Sequence, residues 1–504
     1  MNMLLLFRWL AVAAFACLMV GIGLYALRRT KTSSDFFLAG RNVGPWVSAF
    51  AYGTTYFSAV LFIGYAGSQG WGFGISVLWV ALGNALIGSW LAWKVLARRT
   101  RSITARLGAM TMPEFLETRY QSKGLKIAAA ILIFVFLIPY CGSVFTGLGF
   151  LFENVLNINY QLSLVVMIVL TGIYLILGGY FAIAFNDFIQ GLIMLVGAVL
   201  MVGYVFHQPQ VGGFGGFIPG LARIDPGLTQ VIPTNWLGLL SLVILTSLGT
   251  WGMPQMVQKF YAIKNEQVIR TATIVATLFA LVIAGAAYLV GSTVHLFFNA
   301  VPVDAAGNPV YNTLIPQLLN QVLPEALLII ILLLVLSASM STLSSLVLVS
   351  SSALTIDLIQ GVFHPGIDKK HSLTLLRLFC GLFILCSIGV AVFKIDFIIQ
   401  LMALSWGTIA GAFLAPYLYG LFWKGTTKSG AWAGLISGIV ISIGGSLVFP
   451  DKNTAPLISA VAMLVPLGVV PLVSVFTKKY DAAHLERVFG PAEPPLTLAA
   501  STRE

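Results

Sequence analysis

Along most of the chain the polar residues serve as punctuation between long apolar runs. Thirteen such runs can be read, at about 4–27, 45–66, 71–97, 124–152, 160–180, 186–206, 235–260, 267–298, 324–358, 374–393, 396–422, 429–449 and 455–476. Each comes close to or exceeds the roughly 20 residues that span the hydrocarbon core of a bilayer as a helix. In lipid the backbone finds no water to bond, so apolar runs of this length predict helices. The first run could begin a signal peptide, but its apolar stretch is long and Arg28, Arg29 and Lys31 follow it directly. That stop-transfer pattern makes it a span.

Composition agrees. Apolar residues make up 58% of the 504 and charged residues only 9%, against about 25% charged in a soluble domain. So few charges cannot coat a soluble surface, which leaves an all-α polytopic membrane protein. The net charge of +11 could suggest nucleic acid, but its placement points elsewhere. With the N-terminus outside and thirteen spans alternating, 24 of the 28 Lys and Arg fall in inside segments and 4 outside. This bias is the ordinary mark of cytoplasmic loops, and it predicts a cytoplasmic C-terminus in a plasma (inner) membrane. No G-x-x-x-x-G-K-[ST] loop for ATP is present. The four cysteines form no C-x-x-C pair, and no histidine sits at catalytic spacing, so no enzyme is expected.

Two spans are interrupted by polar or helix-breaking residues. The second reads Ala51-Tyr52-Gly53-Thr54-Thr55-Tyr56-Phe57-Ser58-Ala59, and the seventh Thr246-Ser247-Leu248-Gly249-Thr250-Trp251-Gly252-Met253-Pro254. Gly53, Gly249, Gly252 and Pro254 are the expected breaks. Small residues also serve close helix packing, and a lone proline merely kinks a helix. The spacing favours more than that, because each interrupted span opens a set of five, one set starting inside and the other outside. Broken helices at corresponding positions of inverted repeats mark transporter binding sites. The ninth span adds Ser337-Ala338-Ser339-Met340-Ser341-Thr342-Leu343-Ser344-Ser345, with Ser341, Ser344 and Ser345 on one helix face. Hydroxyls suit hard cations, and they also bond helices together. Asp187, at the start of the sixth span, is either functional or a carboxylate at a positive helix end. Asp357 is expected to meet water. No Lys or Arg is expected deep among the spans.

The chain resembles the sodium:solute symporter family, through Asp35-Phe36-Phe37-Leu38-Ala39-Gly40-Arg41, Gly178-Gly179-Tyr180 leading to Asp187 and Gln190, Met340-Ser341-Thr342-Leu343-Ser344, and Lys428-Ser429-Gly430-Ala431-x-Ala433-Gly434. The resemblance implies a leucine-transporter-like fold of 5+5 inverted helices, with one helix before and two after. The expected units are therefore 1–30, 44–206, 234–422, 429–476 and a disordered cytoplasmic tail, 477–504. It implies a sodium site formed by carbonyls of Thr54, Phe57 and Ala338 with hydroxyls of Ser341 and Thr342. It leaves room for a second sodium at Asp187, Ser344 and Ser345. Na+ is the only coupling ion implied, and no cofactor, nucleic acid or protein partner is called for.

The chain departs from the proline carriers it resembles, which have Asp, Trp and Tyr where it has Tyr56, Thr246 and Thr250. The expected substrate cavity holds Tyr56, Ser58, Tyr140, Thr246, Thr250 and Trp251. A small amino acid or short carboxylate fits it better than a sugar, whose hydroxyls need several polar partners. The rivals are a proton-coupled carrier using Asp187, a transporter-like solute sensor, and, weakest, a membrane enzyme.

Overall fold

The computed structural model describes residues 3–27, 37–38, 41–304, 306–393, 398–451 and 453–490. The side chains at 26–27, 168, 170–171, 173–179, 181 and 369–370 are outside that description. So are Asp35, Phe36, Ala39 and Gly40 of the first family motif, the side-chain positions at Gly178 and Gly179, and Arg28, Arg29 and Lys31.

The described residues are almost entirely helical. The helices are α1 (Met3–Leu27), α2 (Pro45–Tyr56), α3 (Val60–Arg106), α4 (Met112–Tyr120), α5 (Lys123–Leu156), α6 (Tyr160–Phe206) and α7 (Gly213–Ile224). They continue as α8 (Trp236–Trp251), α9 (Pro254–Tyr261), α10 (Glu266–Leu296), α11 (Leu314–Val322), α12 (Glu325–Phe363) and α13 (Lys369–Ala391). The last four are α14 (Ile398–Phe422), α15 (Lys428–Val448), α16 (Ala455–Val475) and α17 (Ala482–Phe489). Ten are long and apolar enough to cross a membrane, and α8 with α9, bent by 40° at Gly252-Met253, makes an eleventh.

This count is lower than the thirteen apolar runs, for two reasons. α3 takes in residues of two runs, passing through a turn at Gly74, whose φ of +55° suits only glycine. Runs 160–180 and 186–206 form one 47-residue helix, α6. The tail also differs from expectation. α17 buries His484 and Val488, and Arg106 and Gln121 bond to Val488 and His484.

α2 begins with proline in its first turn, where the missing N–H costs nothing. It ends at Phe57, which is extended (φ −113°, ψ 130°). The chain resumes because Ser58 Oγ accepts from Val60 N at 3.2 Å and Ala59 N donates to Ser339 Oγ at 2.9 Å. Orphaned amides at a helix break are thereby satisfied inside the protein. The break is thus four residues past Gly53, which lies within α2 and packs against the Phe279 ring. In the second interrupted span Gly249 lies inside α8, against Trp406, and Pro254 restarts the helix after Gly252 and an extended Met253. Backbone bonds from Val43 N to Ala262 O and from Lys264 N to Val43 O, both 3.2 Å, tie the start of α2 to the end of α9. The two interrupted helices therefore run in opposite directions.

Candidate ion and solute site

α12 packs directly against the break between α2 and α3. Ser341 Oγ donates to Thr54 O at 2.8 Å and also lies 3.0 Å from Ala338 O. Thr342 Oγ1 lies 3.1 Å from both Thr55 O and Ala338 O, and 3.4 Å from Thr54 O and Phe57 O. Five of these oxygens are those the resemblance named, on Thr54, Phe57, Ala338, Ser341 and Thr342. Thr55 O is a sixth. All six residues are buried. A hard cation with oxygens at about 2.4 Å holds neighbouring oxygens roughly 3.4 Å apart, so this cluster is already near the size such an ion needs. Breaking α2 frees the carbonyls, and the serine-threonine run in α12 supplies the hydroxyls.

The second expected group is arranged differently. Lys259, on α9, is fully buried and directs Nζ toward Asp187 Oδ2 at 3.6 Å. The same Nζ donates to Ser345 Oγ at 2.9 Å and lies 5.1 Å from the centre of the Tyr180 ring. Ser345 Oγ also meets Thr55 Oγ1 at 2.9 Å, while Ser344 Oγ bonds back to Ser341 O at 2.8 Å. This corrects the expectation that no Lys or Arg lies deep among the spans. Lys259 sits near the end of an apolar run, where it counts as a loop charge. Its partner is 72 positions earlier, so spacing gives no hint of the pair.

The break also borders a cavity of about 20 Å³, lined by Tyr56, Ser58, Tyr140 and Thr246 of the expected set. Tyr65, Asn84, Tyr288, Met402 and Trp406 line it as well and were not foreseen. Asn84 is its polar hub. Its Oδ1 lies 3.1 Å from Tyr56 OH, 2.9 Å from Thr246 Oγ1 and 3.1 Å from Ser247 Oγ. A lone Asn inside the third apolar run was the available signal. Tyr65 OH and Trp406 Nε1 are both buried without a hydrogen-bond partner, which leaves two free donors at the cavity wall. Thr250 and Trp251 do not line it. Thr250 Oγ1 faces Gly88 O at 3.2 Å and Trp251 Nε1 donates to Ile87 O at 3.1 Å, both on α3. The tight turn at 249–251 rotates both side chains toward that helix. A wider cavity of about 250 Å³ is bordered by Gln69, Trp71, Asn235, Tyr311 and Asn453.

α4 closes over the bundle. Thr111 caps it by accepting from Glu114 N at 3.1 Å, and Glu114 Oε2 accepts from Met110 N, just before the cap, at 2.7 Å. Thr111 Oγ1 donates to Asp357 Oδ1 at 2.6 Å. Asp357 is fully buried rather than water-facing, because α4 covers it. Burial pushes the Glu114 carboxyl above its ordinary value of 4.5.

The sodium:solute symporter family model matches residues 36–438. The high-affinity proline transporter PutP of Bacillus subtilis (strain 168) is 31% identical over 424 residues, covering 83% of this chain and 88% of that protein. A sodium/proline symporter of Staphylococcus aureus (strain bovine RF122 / ET3-1) is 30% identical over 442 residues, covering 86% and 85%. Among solved structures, a substrate-bound, outward-open Na+-coupled sialic acid symporter aligns with a TM-score of 0.75 at 17% identity, over 94% of this chain and 98% of that one. The nucleobase-cation-symport-1 transporter Mhp1 aligns at 0.51 and 16%, over 90% and 97%. At these identities the structural likenesses speak for the fold alone.

Proposed function

Because this chain belongs to the sodium:solute symporter family, we propose that it takes up a small organic solute together with Na+ by alternating access. The observation that carries this reading is the oxygen cluster between the α2–α3 break and Ser341 and Thr342 of α12. The ion is held by Thr54, Phe57, Ala338, Ser341 and Thr342, with Thr55 O beside them. Binding Na+ there joins α2 and α3 to α12 and completes the wall of the neighbouring cavity.

The favoured solute is a small amino acid or short carboxylate. The aromatic walls set its size, Asn84 and the hydroxyls around it supply acceptors and donors, and the free Tyr65 OH meets a carboxylate oxygen. The proline transporters at 30–31% identity support this class. Tyr56 and Thr246, where proline carriers have Asp and Trp, argue against an identical solute. One charge crossing 100 mV supplies about 2.3 kcal/mol, and a tenfold gradient about 1.4 kcal/mol. Together they support roughly 500-fold accumulation of a neutral solute for one Na+.

The proposed topology is thirteen spans with a 5+5 inverted repeat, N-terminus outside and C-terminus cytoplasmic. Two observations support it beyond the eleven spans counted by length. Tyr52 and Tyr56 meet Gly88 and Asn84 in reverse order, so α3 comprises two antiparallel passes about Gly74. In α6, a straight run would put Gly197 about 55 Å from Tyr160. Gly197 instead packs on Leu334, two to three turns from Glu325. Arg8 joins Glu325 to Val155, five residues before Tyr160. These contacts bring the two ends of α6 closer than a straight helix allows, which supports two passes there.

The test is a thermal-shift screen of the purified protein against amino acids, short carboxylates, sugars and vitamins, in Na+ and again in K+. A ligand at 100 times its Kd stabilises by about 2.7 kcal/mol. Stabilisation by one class of solute in Na+ alone supports the proposal. Equal stabilisation in both salts moves the proton-coupled carrier to first place. Binding with no uptake into vesicles favours the sensor.

A further inference from the structure

We propose that Lys259 is the built-in occupant of the second cation site, so that this chain moves one Na+ per cycle rather than two. This rests on the sodium-coupled reading above and fixes its stoichiometry. A second ion would need the Asp187 carboxylate and the hydroxyls of Ser344 and Ser345, and the Lys259 ammonium already faces that carboxylate and bonds Ser345, although neither Asp187 oxygen accepts a hydrogen bond. Asp187 faces the Lys259 ammonium at 3.6 Å. Ser345 Oγ takes the same ammonium at 2.9 Å and Thr55 Oγ1 at 2.9 Å. Ser344 Oγ donates to Ser341 O, as Ser341 Oγ does to Thr54 O, and keeps its lone pairs.

The ammonium supplies what the ion would supply: one positive charge, placed between α6 and α12, on the same acid and one of the same hydroxyls. The Tyr180 ring covers it on another side at 5.1 Å, a favourable setting for a cation. Asp187 and Lys259 are both fully buried. A Na+ entering here would put a second positive charge beside Lys259 with one carboxylate between them. Removing either partner of a buried pair leaves an uncompensated charge. Na+ therefore cannot displace the tethered lysine without a large penalty.

The placement also gives Lys259 a positioning role. It sits on α9, the continuation of one interrupted helix, and reaches through Ser345 to Thr55 on the other. Thr55 in turn offers its carbonyl to Thr342 in the main ion cluster. The chain Asp187, Lys259, Ser345, Thr55, Thr342 thus joins four helices and ends at the proposed Na+ site. The accumulation limit follows from the count. One ion supports roughly 500-fold and two would support its square.

The test counts radioactive Na+ bound to the purified full-length chain, with K+ keeping ionic strength constant. The wild type is expected to bind one Na+ with a Hill coefficient of one, and Thr342→Ala to abolish that binding. Lys259→Met is expected to gain a second Na+, which Lys259→Met combined with Asp187→Asn loses again. Lys259→Arg keeps one. Two ions in the wild type would overturn this inference while leaving sodium coupling intact. No ion in the wild type would overturn both. A Lys259→Met protein that still binds one ion, lost on adding Thr342→Ala, is folded and has gained no site, which also overturns it. If Lys259→Met does not fold, the wild-type count decides.

Discussion

Ser341 Oγ stands 2.8 Å from Thr54 O, so a hydroxyl on α12 grips a carbonyl that only a broken α2 could offer. An intact helix would spend that carbonyl on its own ladder. The cluster therefore depends on the break, and the break is stabilised by whatever fills the cluster. Thr342 contributes a second hydroxyl near four carbonyls. Thr342→Ala is expected to raise the Na+ concentration for half-maximal uptake tenfold or more. Uptake measured against Na+ at fixed solute checks it, and unchanged sodium dependence would remove this cluster as the ion site.

Much of this cluster was legible in the sequence because its chemistry is local. Six hydroxyls in 337–345 stand out in an apolar helix, and Gly252 before Pro254 announces a helix end. The position of the first break was less legible. Gly53 looks like the breaker, but its bare Cα serves the approach of Phe279, while Phe57 and Ser58 carry the extended backbone. Lys259 was illegible for another reason. A lysine six residues past Met253 reads as a loop charge, and only the fold brings it to Asp187. Thr250 and Trp251 show the converse. They belong to the right segment, yet the turn at 249–251 rotates them onto α3.

That rotation separates two variants a few residues apart in space. Asn84 Oδ1 gathers Tyr56, Thr246 and Ser247. Asn84→Leu is expected to lower solute affinity at least tenfold and to cost about 1–3 kcal/mol of stability, the range for a buried polar group left unpaired. Thr250→Val loses the hydroxyl's contacts with Gly88 O and Ser247 O outside the cavity and is expected to change solute affinity less than threefold. Titration of the solute found in the thermal screen checks both, and equal losses would return Thr250 to the cavity wall.

Gly252 permits a close backbone approach between the α8–α9 junction and α14. A Cβ there would lie 2.8 Å from Ala410 Cα, 3.0 Å from its carbonyl oxygen and 3.0 Å from Leu414 N. These are backbone atoms in a buried helix, so no side chain can swing aside. Overpacking of this kind costs about 1–3 kcal/mol. Gly252→Ala is expected to lower the thermal midpoint and to slow uptake more than it weakens Na+ binding, because the ion cluster lies on α2 and α12. A variant with wild-type uptake would show that this junction stays loose during transport.

Glu114 gives a pH dependence with a defined sign. Its carboxyl is half-buried in the first turn of α4, near Glu117 and Asp357, with Lys126 and the Met110 amide opposing them. Burial prevails and raises its pKa above the ordinary 4.5. Below that value the acid is protonated in both folded and unfolded chains, so wild type and Glu114→Gln should be equally pH-insensitive at this position. As pH rises, the unfolded chain ionises first and the folded chain resists, so the wild type loses stability relative to Glu114→Gln. The loss levels off once the pH passes the folded pKa. Glutamine keeps an oxygen to accept from Met110, which preserves that bond. Thermal midpoints of both proteins from pH 4.5 to 8 check this. A wild type that gains on Glu114→Gln with rising pH would mean that Lys126 and the amide hold the carboxylate charged against its burial.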